Sequence, residues 1–310
     1  MRPMFTDRPL RRFHQRSARA ARRGAIALGL GLCGCQSELL TLGEKPLPSY
    51  HFGPPRLVAE LASSETTENP TLTGDLLEIY FSSSRDGNDS DIWFAQRTSA
   101  FAPFDPPRRV RALDSPRQEW SSAVATDGLT LWFGSDRRFG SGLDIWVTTR
   151  SGRSVDWNEP EILPVLNSPA NDVARPPGMR GLVMPLGSER GSPSVYRSYF
   201  ATRASITSAF DAPQPIPELI FPDATTMDVF LTDDGLTIFY ASSTAGGPAD
   251  FFTARRRSTS DPFSSMEPVL DLNTTASERD PWLSPDGTVF FFASDRSGTM
   301  NIYTADVILK

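Results

Sequence analysis

Three observations in the sequence predict an all-β chain built as a propeller, with five four-stranded antiparallel blades around an axis. A turn-and-strand unit occurs five times at near-constant spacing. Each unit places aromatic residues on short strands bounded by Asp-Gly or Ser-Asp-Arg turns. The last unit lacks one strand, and a matching strand stands at the front of the body.

Aligned on Asp75, Asp127, Arg180, Asp234 and Asp286, the units are spaced by 52, 53, 54 and 52 residues. Each anchor leads into an apolar strand, as in Thr130-Leu131-Trp132-Phe133 and Val289-Phe290-Phe291-Phe292. A second strand follows at Asp91-Ile92-Trp93, Asp144-Ile145-Trp146, Asp250-Phe251-Phe252 and Asn301-Ile302-Tyr303. Arg97, Arg150, Arg203 and Arg256 close it in four repeats. The third repeat is degraded, with Pro176-Pro177, Pro185 and Pro193 among its strands, and marks a special surface there. Asp-Gly followed by alternating apolar residues is a tight turn feeding a strand. One such sheet cannot bury both faces alone; stacking sheets around an axis buries both and leaves only short edges.

Between repeats lies a Phe/Trp…Pro strand, seen at Phe104, Trp157, Phe210 and Phe263, but the fifth repeat ends without one. The segment 52–61, beginning Phe52-Gly53-Pro54-Pro55, has the missing pattern and is expected to complete the last blade. The expected layout is a leader over 1–34, a tether over 35–50 stiffened by Pro46 and Pro48, and a propeller over 51–310. Its repeats fall near 66–118, 119–171, 172–224, 225–277 and 278–310, with 52–61 as closing strand.

The leader has a basic stretch ending at Arg22-Arg23, then an apolar run from Gly24 to Leu32 that is too short to span a bilayer. Leu32-Cys33-Gly34-Cys35 resembles a bacterial lipobox, which implies acylation at Cys35, with Cys33 as the alternative acceptor. The expected location is therefore the outer membrane, on its periplasmic or surface face, with membrane contact only through the anchor. Gln36, rather than Asp, after the acceptor agrees with this. Of 31 basic and 37 acidic residues, eight Arg and one Asp fall in residues 1–34. The remaining 23 and 36 give positions 35–310 a net charge of −13, which argues against nucleic acid as a partner.

Ser284-Pro285-Asp286-Gly287 with Phe292-Ala293-Ser294-Asp295-Arg296 and Asn301-Ile302-Tyr303 resembles the WD40-like repeat of the TolB propeller group. Asp127-Gly128 with Trp132-Phe133-Gly134-Ser135-Asp136-Arg137 and Asp144-Ile145-Trp146 matches it equally. The resemblance covers residues 52–310 and implies an envelope-side propeller, frequently a protein-binding one. The separate N-terminal α/β domain and longer propeller of TolB are not expected in this chain.

With His14 in the leader and His51 expected in the tether, the propeller is expected to hold no histidine, so serine triads and His-metal sites lack their parts. No cofactor or metal is expected. Residues 86–91 (Asp-Gly-Asn-Asp-Ser-Asp) hint at calcium, but the loop lacks the glycine at its sixth position and the terminal Glu. The candidate residues are carboxylates near the starts of the innermost strands: Glu68, Glu119, Asp172, Asp228 and Glu278, with Asp280. They could form an acidic ring at one channel mouth, for binding. In the alternative, paired carboxylates among Glu119, Asp172, Asp228, Glu278 and Asp280 hydrolyse a glycan. The structural explanation is that each acid bonds turn amides or the Arg of a Ser-Asp-Arg turn, where Arg85, Arg137, Arg190 and Arg296 recur as interblade ion pairs. Trp93, Trp132, Trp146 and Trp282 are expected in the core. The function so read is a non-catalytic binding or assembly lipoprotein, with an envelope protein or a glycan as partner.

Overall fold

A computed structural model describes residues 49–309 apart from 88, 139–141, 192, 245 and 246. Cys33, Cys35 and the rest of the expected leader lie outside the described residues, as does the tether up to Pro48. The chain enters through β1 (Tyr50–Phe52) and β2 (Arg56–Leu57). Blade one is β3 (Thr67–Leu72), β4 (Glu78–Ser83), β5 (Asp91–Gln96) and β6 (Arg108–Arg109). Blade two is β7 (Glu119–Val124), β8 (Thr130–Ser135), β9 (Asp144–Thr149) and β10 (Glu161–Ile162). Blade three is β11 (Asp172–Ala174), β12 (Val183–Ser188), β13 (Arg197–Thr202) and β14 (Gln214–Pro215). Blade four is β15 (Ala224–Leu231), β16 (Thr237–Thr244), β17 (Asp250–Arg255) and β18 (Ser264–Pro268). Blade five has β19 (Glu278–Leu283), β20 (Val289–Ser294) and β21 (Asn301–Leu309).

All pairings are antiparallel, and apart from β1 and β2 on β21 they follow chain order, so each blade is a meander and the predicted five-bladed propeller is the fold. The front strand closes the ring as expected. Arg56 and Leu57 pair with Thr304 and Tyr303, and residues 50–52 pair with the far end of β21. His51 therefore lies in a strand of the ring, opposite Ile308 and with Nδ1 3.3 Å from Asp271, a correction to its expected place in the tether, because residues 50–52 pair with the end of β21. Phe52 packs against Phe239 and Phe290, which continue into Phe251 and Phe292 as the seam between blades four and five.

Two devices repeat with the blades. Asp75, Asp127, Asp234 and Asp286 each accept the N–H two residues on, fixing the turn after the inner strand. The residue after the Asp is left-handed: Gly128, Gly235 and Gly287 in three blades, and Leu76 (φ 64°) in the first. Arg97, Arg150, Arg203 and Arg256 each donate Nε to a carbonyl of that turn at 2.7 Å. Each guanidinium also covers Phe104, Trp157, Phe210 or Phe263 at 4.4 Å. The conspicuous arginine and the aromatic of the following strand are thus one clamp. Trp132 and Trp282 are core residues, whereas Trp93 and Trp146 are half-buried beneath Arg85 and Arg137.

No helix among the described residues is long and apolar enough to cross a membrane.

Candidate functional site

The inner strands β3, β7, β15 and β19 each carry a β-bulge near their start, with a left-handed residue there: Asn69, Ser121, Asp228 and Asp280, φ 55–58°. A bulge breaks the two-residue alternation and re-aims the side chains around it. The predicted acids consequently divide between different registers and do not form one ring.

Glu119, Asp172 and Glu278 occupy the same register, which Thr67 and Thr226 fill in the other two blades. All three acids are fully buried. Glu119 accepts from Ser115 Oγ (2.5 Å), Ser135 Oγ (3.1 Å) and Arg137 (3.1 Å). Asp172 accepts from the Ser168 amide and hydroxyl and from Arg190 (2.6 Å). Glu278 accepts from Thr274, Ser294 and Arg296 (3.0 Å). Each arginine also binds the carbonyl of Leu113, Leu166 or Leu272 and lies over a strand aromatic. These arginines pair inside their own blade, a correction to the expectation of interblade pairs. The reason is reach: Arg137, Arg190 and Arg296 follow the second strand, beside the first residue of their own inner strand. Pairs that do cross between blades include Arg150 with Glu78 (2.6 Å) and Arg153 with Asp75 (2.5 Å) and Glu78 (2.9 Å).

The axis itself is filled by the left-handed residues and Arg175. Arg175 binds Asp228 and Asp280. Asp280 accepts from the Asn69 amide side chain (2.7 Å) and backbone N–H (3.0 Å). Asn69 accepts from the Ser121 N–H, and Ser121 Oγ donates to the Ala174 carbonyl at 3.0 Å. A girdle of hydrogen bonds thus runs through all five blades. Arg175 reaches the centre because the degraded third repeat has only a three-residue inner strand, cut off by Pro176-Pro177. Its role was not read from the sequence, although the irregular proline pair marked the place.

Above this plug sit Glu68, Trp120, Val173, Met227 and Arg279, one from each blade. Trp120 Nε1 donates to Glu68 at 2.7 Å. Glu68 keeps some accessible surface, but protein crowds it from every side. Burial first, and the nearby Asp280 charge second, raise its pKa to about 7, against the Trp120 hydrogen bond and the Arg279 and Arg175 charges. The Nε atoms of Arg175 and Arg279 are buried without a hydrogen-bond partner among the described residues.

A carboxyl whose folded pKa lies above its ordinary 4.5 holds a proton that the unfolded chain releases. The Glu68 contribution to stability should therefore fall as pH rises from about 4.5 to 7, and Glu68→Gln should remove that share of the slope, leaving the share of the same sign from Asp91, which burial also raises to about 7. Urea unfolding of both proteins at pH 4, 5.5 and 8 checks this; parallel pH profiles would refute it.

The opposite mouth, at the ends of the inner strands, is open. A cavity of about 430 Å³ lies on the axis there, walled by Leu72, Val124, Leu231, Leu283 and Trp282, with Asp233, Asp234 and Asp286 at its rim. Tyr50 of the entering chain lines one side. None of the described residues forms a cluster of three or more potential metal ligands. In the 86–91 loop, Asp86 and Asp91 both pair with Arg109.

No family model matches the chain, and no curated protein matches it. Solved structures do. The chain is similar to TolB from Acinetobacter baumannii at 13% identity and TM-score 0.52, over 80% of this chain and 56% of that one. It therefore spans little more than half of that protein. It is also similar to an endo-arabinase from Bacteroides thetaiotaomicron VPI-5482 at 12% identity and TM-score 0.59, over 81% of this chain and 97% of that one. A family 117 glycoside hydrolase produced by Zobellia galactanivorans matches at 9% identity and TM-score 0.50, over 84% and 90% of the two chains. At these identities the likeness is one of fold, shared by TolB-like propellers and propeller glycoside hydrolases.

Proposed function

We propose that the protein is a non-catalytic binding or assembly propeller of the bacterial envelope, held at the outer membrane through a lipid on Cys35. One observation carries the reading. The buried carboxylates at the inner-strand starts are consumed by the fold, whereas the open axial mouth combines an apolar wall with an acidic rim. That chemistry fits an apolar segment of a protein partner bearing a lysine or arginine beside the Asp233 carboxylate. The similarity to TolB supports it at the level of fold.

Photo-crosslinking from position 233 in intact envelopes is expected to give a discrete protein adduct, and competition by the Asp233→Lys chain should fall about tenfold. The absence of an adduct, together with glycan turnover by the purified protein, would overturn the reading.

A carboxylate-dependent glycan-acting enzyme is the second reading, favoured by Glu68, whose pKa near 7 suits a general acid or base at neutral pH. It predicts turnover that Glu68→Gln abolishes.

A further inference from the structure

The blades repeat closely enough for one groove to serve as the control for the next. Between blades one and two, the Arg150 guanidinium faces Glu78 of the preceding blade, 2.6 Å away, and Arg153 binds the same carboxylate. Between blades two and three the same framework returns with different residues. Arg203 replaces Arg150, 53 positions on, with the same clamp onto a turn carbonyl and aromatic ring. Thr130 stands where Glu78 did, and Ile206 where Arg153 did. No carboxylate pairs with Arg203 among the described residues. Arg97 feels Glu60, and Arg256 feels Glu218, Asp261 and Asp234. On Arg203 burial acts alone and lowers its pKa.

The groove beside Arg203 has a volume of about 450 Å³, within the roughly 300–1,000 Å³ typical of small-molecule sites; its sister beside Arg150 is about 590 Å³, so the two differ in the partner of the arginine and in lining rather than in the presence of a cavity. Trp132, Val147, Leu163, Leu166 and Phe210 form its walls. Its lips are Val165 and Ile206, large apolar residues 41% and 66% exposed. Arg180 adds a second cation to the lining, and Asp127 a carboxylate whose Oδ1 accepts the Leu129 N–H.

We infer that the groove between the second and third blades binds a free alkyl monocarboxylate, its head on Arg203 where the sister groove holds Glu78 and its chain along the apolar wall. A peptide of similar size would bring amides that this wall leaves without partners. The site lies off the axis and does not depend on the proposed partner mouth.

Titration calorimetry of the full chain with dodecanoate, below its micelle concentration, tests the inference. Saturable one-to-one binding is expected, with the methyl ester at least about tenfold weaker because it cannot form the charge-assisted hydrogen bonds. Arg203→Gln should weaken dodecanoate by a similar factor. Thr130→Glu rebuilds the carboxylate of the first groove and should abolish binding while preserving the fold; it decides the matter if Arg203→Gln fails to fold. Any one of three results overturns the inference: no saturable binding, unchanged affinity in Thr130→Glu, or tighter binding of an N-acetylated apolar tripeptide than of dodecanoate.

Discussion

Asp280→Ala is expected to lower folding stability by about 3–5 kcal/mol, the scale for breaking a buried ion pair from one side. Asp280, Asp228 and Arg175 are all 5% exposed or less, so the charge left behind cannot recover its hydration. The substitution strips Arg175 of one of its two carboxylates and leaves both N–H donors of Asn69 without their acceptor. Taking away the whole charge set should hurt less than taking away one member. Arg175→Met with Asp228→Asn and Asp280→Asn keeps residues that tolerate the left-handed backbone at 228 and 280 and leaves no orphaned ion. Urea unfolding of the single and triple variants checks the ordering; a triple variant less stable than Asp280→Ala would refute it.

The same girdle shows where sequence reading stops. Blade number, order and ring closure were legible because a fixed repeat length and a displaced strand depend only on counting. The acids at 119, 172 and 278 were legible too, since each repeats with its blade and has a Ser or Thr four residues before it. Glu68, Asp228 and Asp280 looked like members of that set, but they sit one or two residues further along. The repeat spacing itself puts Thr67 and Thr226, not Glu68 and Asp228, in register with Glu119. What the sequence hid was the bulge, because a left-handed Asn, Ser or Asp in mid-strand has no local signature. Arg175 was hidden for a different reason: its neighbours at the axis lie 53 and 105 residues away.

Deleting residues 49–61 is expected to abolish cooperative folding of the monomer. The segment supplies both partners of the outer edge of β21, the bidentate Arg56–Asp306 pair at 2.8 Å, and the Leu61 carbonyl that receives Arg85. It also supplies Phe52 and Leu61, both buried in the core shared with the fifth blade. Loss of a buried Phe side chain alone costs about 3–5 kcal/mol, and of a buried Leu about 2–5 kcal/mol. Together they approach the roughly 5–15 kcal/mol that holds an ordinary domain folded. The deletion also bares the nine-residue β21 as an edge, which invites pairing between chains. Circular dichroism melting and light scattering should therefore show a broad, low transition with association. A synthetic peptide of residues 49–61 added in trans should restore the sharp melt by binding only the folded ring. A truncated chain that stays monomeric and melts within a few degrees of the full one would show that the four complete blades hold the fifth without its borrowed strand.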